Sequence, residues 1–196
     1  MALDIVPEHL RERYCLAEHR HAIGVLSSDF PEQWSDLLAC LEAFRLRRSA
    51  IIVKGGGRSN VPKEIDGFLQ RRGWGKRSFQ IDLRVDGRNY PTRTHEVDNE
   101  KGGIGLEVEW NNKTEFYDRD LNNFRLLHSI GALSVGIIIT RTSELQDLLN
   151  SLGIGSKYGP STTHWDKLMP KVNSGAAGGC PLLLIGITRL CYSEKE

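Results

Sequence analysis

The sequence predicts an α/β fold, a central mixed β-sheet flanked by helices, in a single domain spanning residues 1–196. Three observations point there. Strand-like and helix-like segments alternate along the chain. Residues 135–139 and 182–187 are almost wholly apolar, as central strands covered on both faces should be. In residues 104–110, apolar Ile104, Leu106, Val108 and Trp110 alternate with Gly105, Glu107 and Glu109, the period of a half-buried strand. A chain of 196 residues can bury one sizeable core, and no repeat, linker or low-complexity stretch divides it.

The elements follow in order. Residues 31–45 form a helix, with Pro31 in the first turn and Trp34, Leu37, Leu38, Leu41 and Phe44 on one stripe. Residues 50–54 make a short apolar strand, stopped by Gly55-Gly56-Gly57. A second helix covers residues 61–72, with Ser59 or Asn60 as cap, Ile65, Phe68 and Leu69 facing inward, and Gly73 ending it. Residues 78–85 alternate as a strand, and Asp86-Gly87 signals a hairpin turn. After the strand at 104–110, Tyr117, Leu121, Phe124 and Leu127 mark a helix over residues 116–130, closed by Gly131. A buried strand at 134–140, a short helix at 143–152 and a last strand at 181–187 complete the pattern. The glycine-rich loop 175–179 precedes that strand.

Several function classes are excluded. No apolar run approaches the roughly 20 residues that span a membrane. Residues 1–13 lack the apolar core of a signal peptide, so a cytoplasmic location is expected. The four cysteines contain no Cys-x-x-Cys pair, which argues against a disulfide framework or structural zinc. Cys15-x-x-x-His19-x-His21 resembles metal ligands superficially but fits a polar helix end with one packed cysteine. Gly55-Gly56-Gly57-Arg58 lacks the context of a nucleotide-binding P-loop. The net charge of +1 hides an asymmetry, because residues 44–93 hold thirteen Lys/Arg against four Asp/Glu. Such a basic stretch fits a face presented to a polyanion, although solvated helix faces would give the same count.

The chemistry sits in residues 97–110. Asp98 lies in or before a glycine-rich turn, and Glu107 and Glu109 lie on the following strand. If that strand folds back, three carboxylates converge at one end of a sheet. Hard oxygen ligands suit Mg²⁺, which supports phosphodiester chemistry, so the residues suggest a metal-dependent DNA endonuclease. Two neighbouring glutamates are costly to bury as anions, and a cation relieves that repulsion. The same alternation equally describes a solvent-facing edge strand. Trp110 is a core or interface residue. Asn111, Asn112 and Lys113 have side chains suited to base edges, or they form a polar loop capping the next helix. His95 is expected in an ordinary polar loop, and His128 is expected to be packed or solvated.

With these residues in view, the chain resembles a known family. Asp98…Glu107-Val108-Glu109 resembles the PD-(D/E)XK nuclease motif in its Glu-x-Glu variant. More narrowly, the chain is similar to type II restriction endonucleases of the BglII/BstYI group. Phe30-Pro31-Glu32-Gln33-Trp34 and Lys63…Phe68-Leu69…Arg72-Gly73-Trp74 carry the likeness, with Val135-Gly136-Ile137-Ile138-Ile139-Thr140 and Cys180-Pro181-Leu182-Leu183-Leu184-Ile185-Gly186-Ile187. One departure stands out. BglII has Gln at the position of Glu109, BamHI-like sites have Glu, and generic PD-(D/E)XK nucleases have Lys.

The resemblance implies a restriction-endonuclease-like core and a homodimer cutting palindromic double-stranded DNA into 5′-phosphate ends. It implies Mg²⁺ held by Asp98, Glu107 and the main-chain carbonyl of Val108, with Glu109 positioning or deprotonating the attacking water or sharing a second metal. Asn111, Asn112 and Lys113, or the loop 174–179, become candidate base readers. Lys54, Arg58, Arg71 and Arg72 become candidate phosphate contacts. A GATC-centred hexamer is the site suggested by related enzymes. A methyltransferase is expected as a genetic, not physical, partner. The competing readings are a structure-specific repair nuclease of the same superfamily and a non-catalytic DNA-binding module.

Overall fold

The computed structural model describes residues 2–52, 60–91, 95–159 and 161–194. After a 3-10 turn (Ala2–Ile5), the chain forms α1 (Glu8–Arg13), β1 (Tyr14–His19), α2 (Ala22–Asp29) and α3 (Pro31–Ala43). The short β2 (Leu46–Arg47), α4 (Arg48–Ile51) and α5 (Asn60–Gln70) follow. Next come β3 (Gly75–Phe79), β4 (Asp82–Val85), β5 (Arg88–Pro91), β6 (His95–Lys101) and β7 (Ile104–Glu109). The order ends with α6 (Glu115–Ser129), β8 (Val135–Arg141), α7 (Leu145–Ser151), α8 (Trp165–Asn173), β9 (Leu182–Ile187) and β10 (Tyr192–Ser193).

Six strands form one mixed sheet in the order β1-β9-β8-β7-β6-β3. The inner strands β7, β8 and β9 are parallel, while β1, β6 and β3 join antiparallel. Leu106, Val108, Ile137, Ile139 and Ile185 bury one face against α2, α3 and α5. Val97, Ile138, Leu182 and Leu184 bury the other beneath α6 and α8. Both faces of β8 and β9 are covered, as their continuous apolar sequences require.

The structure corrects four readings. Strand 104–110 is not half-buried: α6 covers its glutamate face, and all of β7 is buried. Residues 48–51 are a helical turn, because Ala50 and Ile51 fill the core beside α5 without a strand partner. The remainder of the strand expected at 50–54, with Lys54, Arg58 and the Gly55–Arg58 segment, lies largely outside the described residues. Residues 78–85 split between two sheets: β3 pairs with β6, whereas β4 turns through Asp86-Gly87 to pair with β5. Finally, the segment holding Cys15 and His19 is a strand, β1, not a helix end. Helices α1, α2 and α8 and strand β6 were not anticipated.

Two contacts hold the sheet around β7. Gly105 and Gly136 pair across β7 and β8 and leave a notch that receives Phe124 of α6. A Cβ on Gly136 would stand 2.5 Å from Phe124 Cδ2 and 2.9 Å from Leu182 Cδ2, closer than real contacts allow. On the opposite face, Lys101 Nζ bonds Glu32 (2.6 Å), Asp36 (2.8 Å) and the Arg72 carbonyl (2.7 Å). Trp74 and Arg72 also donate to Asp36, at 3.0 and 3.2 Å. That cluster ties α3 and the end of α5 to the end of β6.

Two outcomes are expected. Gly136→Ala should lower stability by about 1–3 kcal/mol through overpacking against Phe124, read by urea denaturation. Burial would raise the Asp36 carboxyl, but the Lys101, Trp74 and Arg72 hydrogen bonds outweigh it and hold the pKa below the ordinary 3.8. The folded state therefore binds its proton less readily than the unfolded chain. This contribution is present above about pH 4 and is lost as pH falls through the lowered value. Melting temperatures of wild type and Asp36→Asn should converge in that acid range.

Candidate active site

The turn Gly102-Gly103, with φ of 57° and 90°, folds β7 back onto β6. Asn99, Glu100 and Lys101 pair with Leu106, Gly105 and Ile104. One step beyond this ladder, the main-chain N–H of Asp98 donates to Glu107 Oε1 at 3.2 Å. Asp98 also sits in a β-bulge. Gly75 pairs with Glu100 but Arg77 with Val97, so β6 carries one extra residue there. Bulges re-aim side chains beside active sites, and this one turns Asp98 toward Glu107.

Glu107 and Glu109 are 3% and 2% exposed, so α6 decides their chemistry. Its Asp120 is equally buried, and Arg119 Nε donates to Asp120 Oδ1 at 2.8 Å. The Arg119 guanidinium lies 3.6 Å from Glu109 Oε1, and Asn112 Nδ2 donates to Glu109 Oε2 at 2.7 Å. Burial, then the negative charges of Asp120 and Asp98, push the Glu107 carboxyl well above its ordinary value. Burial, then Asp120, push Glu109 up to about 9. Burial also raises Asp120, against the pull of Arg119. Asp120 Oδ2 is buried without a hydrogen-bond partner among the described residues.

An open cleft of about 450 Å³ meets this cluster, lined by Lys76, His95, Glu96, Asp98, Glu107, Arg119, Asn122 and Asn123. Lys76 of β3 stands 2.8 Å from Glu96 and 3.9 Å from Asp98. His95 belongs to strand β6, not to a loop, and its Nδ1 is 2.8 Å from Asn123 Oδ1. Glu109 does not line the cleft; it lies along β7 behind Glu107. Among the described residues, no three Asp, Glu, His or Cys side chains are arranged to hold one metal ion. The expected convergence of three carboxylates thus reduces to Asp98 beside Glu107, with Glu109 turned to Asp120. Two adjacent hard-oxygen groups, one of them the buried Glu107 carboxyl, still suit a divalent cation. Val108 lies past the end of the β6–β7 ladder, so its main chain is not paired with β6.

The other candidates disperse. Asn112 orients Glu109, the Asn111 Oδ1 is buried without a partner, and exposed Lys113 bridges Thr162 through its main chain. Arg71 and Arg72 follow α5, the helix on the face opposite the glutamates, and do not line the cleft. Both pack on Phe68, and Arg72 also pairs with Asp36. Trp110 is a core residue, donating from Nε1 to the Tyr158 hydroxyl at 3.3 Å, and His128 is packed against the Leu133 carbonyl. Arg119, Asp120 and Lys76 were missed. Asp120 had a legible signal, since it falls on the apolar stripe of Tyr117, Leu121, Phe124 and Leu127, where a charge must have a reason.

Residues 14–187 match the family model of restriction endonuclease BglII/BglIII. No curated protein sequence matches the chain. The matched span begins with β1 and ends with β9, so it contains the whole central sheet, the carboxylates and the cleft. The chain therefore belongs to the restriction endonuclease BglII/BglIII family, and it is a nuclease that cleaves double-stranded DNA in a sequence-specific manner.

Proposed function

We propose that this nuclease is a type II, Mg²⁺-dependent enzyme, acting through one domain as a homodimer on a palindromic duplex. Each subunit hydrolyses one strand and leaves 5′-phosphate and 3′-hydroxyl ends. The observation that carries this reading is Asp98 set against Glu107 on the wall of an open cleft. Asp98, Glu107 and the Val108 carbonyl would hold the ion. Bound Mg²⁺ supplies Lewis-acid polarisation of the phosphoryl oxygen, a lower water pKa and charge neutralisation.

The chain's own residues do the rest. Lys76 and Arg119 place positive charge on the cleft wall, where a phosphate would enter. Asn112 and Arg119 fix the orientation of Glu109. A pKa near 9 makes the Glu109 carboxylate, once ionised, a stronger base than an ordinary glutamate. That property suits a group that positions an attacking water or takes its proton. Two-fold protein symmetry matches two-fold DNA symmetry, which supports the homodimer. Asn111, Asn112 and Lys113 remain the proposed base readers, and Lys54, Arg58, Arg71 and Arg72 the proposed phosphate contacts. No helix among the described residues is long and apolar enough to cross a membrane; action in the cytoplasm is part of the proposal. A methyltransferase would be its genetic partner.

Digestion of a long duplex should give discrete fragments sharing one palindrome with Mg²⁺, and intact DNA with EDTA. Asp98→Ala and Glu107→Ala should each reduce cutting by about 1,000-fold or more while duplex affinity in a gel-shift assay is preserved. Normal cutting by either variant would sink the assignment. A second expectation concerns pH. Raised carboxyl pKa values mean that the folded, metal-free protein holds protons that the unfolded chain has released. This contribution is complete below about 4.5 and declines as pH rises toward 9. Melting temperature without metal should therefore fall across that range, and added Mg²⁺ should restore more of it at pH 8 than at pH 5.

A further inference from the structure

Arg141 ends β8 with only 1% of its surface exposed, and no carboxylate among the described residues pairs with it. Its Nη2 donates to the Tyr158 carbonyl at 3.0 Å and to Thr162 Oγ1 at 3.1 Å, and the guanidinium lies 5.9 Å from the Tyr158 ring centre. Its Nε is buried with no partner. Two neighbours share this condition. His164 Nδ1 is buried without a partner, and so is Lys157 Nζ, which lies 5.9 Å from the same Tyr158 ring. An arginine keeps its charge at any physiological pH, so burying it without a counter-charge is strongly unfavourable.

The space beside it is suited to supplying that counter-charge. A cavity of about 490 Å³ is walled by Arg141, Ser143, Gln146, Asn150, Ser156 and His164, with Gly155 and Gly159, and no carboxylate lines it among the described residues. It shares no residue with the catalytic cleft. It opens where β8 ends, since Thr140, the residue before Arg141, pairs with Glu109 of β7. Ligands of open α/β sheets commonly bind at such carboxyl ends. We infer that this cavity is a binding site for a phosphate group, with the Arg141 guanidinium as its anchor and His164 and the Ser143 and Ser156 hydroxyls as further donors. A guanidinium offers a fork of N–H donors matched to phosphate oxygens.

The phosphate has two possible sources, a phosphodiester of bound duplex DNA or a free phosphate such as that of a nucleotide. Only the first rests on the nuclease reading. It would also link the pocket to the catalytic cluster: Thr162 bridges Lys113, and the adjacent Thr163 N–H donates to the carbonyl of Asn112, whose side chain holds Glu109.

The test is titration of the whole protein with inorganic phosphate, followed by calorimetry and by the His164 ring resonances. Wild type should bind phosphate with movement of the His164 signals. Ser143→Asp, which supplies a carboxylate from the cavity wall, and Arg141→Met should each weaken binding by at least about tenfold. Ser143→Asp keeps the buried core intact, so its result decides if Arg141→Met fails to fold. No binding by wild type, or unchanged affinity in folded Ser143→Asp, would overturn the site. A metal-free duplex that displaces phosphate, and whose binding to Ser143→Asp shows a salt slope smaller by about 1, identifies a DNA phosphodiester. Simultaneous binding of phosphate and duplex identifies the free source. Phosphate binding alongside absent Mg²⁺-dependent cleavage would defeat the catalytic reading and leave this pocket standing.

Discussion

Burying two carboxylates on one face of a central strand is the constraint around which the rest of the structure is arranged. Glu107 and Glu109 are almost wholly buried, and Asp120 of α6 adds a third acidic group against them. Such a cluster is tolerable only with protons, donors or cations at hand. The fold supplies the donors: the Asp98 N–H to Glu107, the Asn112 amide to Glu109, and the Arg119 guanidinium to Asp120. What these leave unbalanced is the affinity that a divalent ion can exploit.

The geometry of that cluster depends on contacts remote from any carboxylate. Phe124 enters the notch at Gly105 and Gly136, so α6 can approach closely enough for Arg119 and Asp120 to reach β7. The bulge in β6 turns Asp98, while Lys101, three residues on, is anchored through Asp36 to α3. Packing on both faces of the sheet therefore converges on a hairpin whose two strands carry the reactive groups.

Charge is imbalanced at two neighbouring places, with opposite sign. At β7, the buried carboxyls Glu107, Glu109 and Asp120 gather around one guanidinium, that of Arg119; at the end of β8, a buried guanidinium has no acid partner among the described residues. Glu109 and Thr140 are ladder partners, so the two regions lie within a residue of each other along the sheet. A nucleic acid, as a polyanion handled with metal cations, is the kind of ligand that presents both complementary charges.

The sequence by itself determined the fold class and which carboxylates the turn before β7 brings together. Continuous apolar runs at residues 135–139 and Leu182–Ile187 encode strands buried on two faces, because neither run has a polar side chain to offer water. Gly102-Gly103 encodes the turn that returns Glu107 to Asp98, so the sequence offered that pair, while its spacing equally fitted a solvent-facing edge strand. Strand β1 was not legible: Tyr14–His19 lacks clean alternation and becomes a strand only by pairing along β9. The helical turn at Arg48–Ile51 was likewise hidden, since four residues carry too little periodicity to separate turn from strand. Only the tertiary structure decided that the glutamate face of β7 is covered, that Asn112 serves Glu109, and that Asp120, Arg119 and Lys76 join the site. Those facts arise where separate elements meet, and burial, which sets proton affinity, is a property of that meeting and not of the strand.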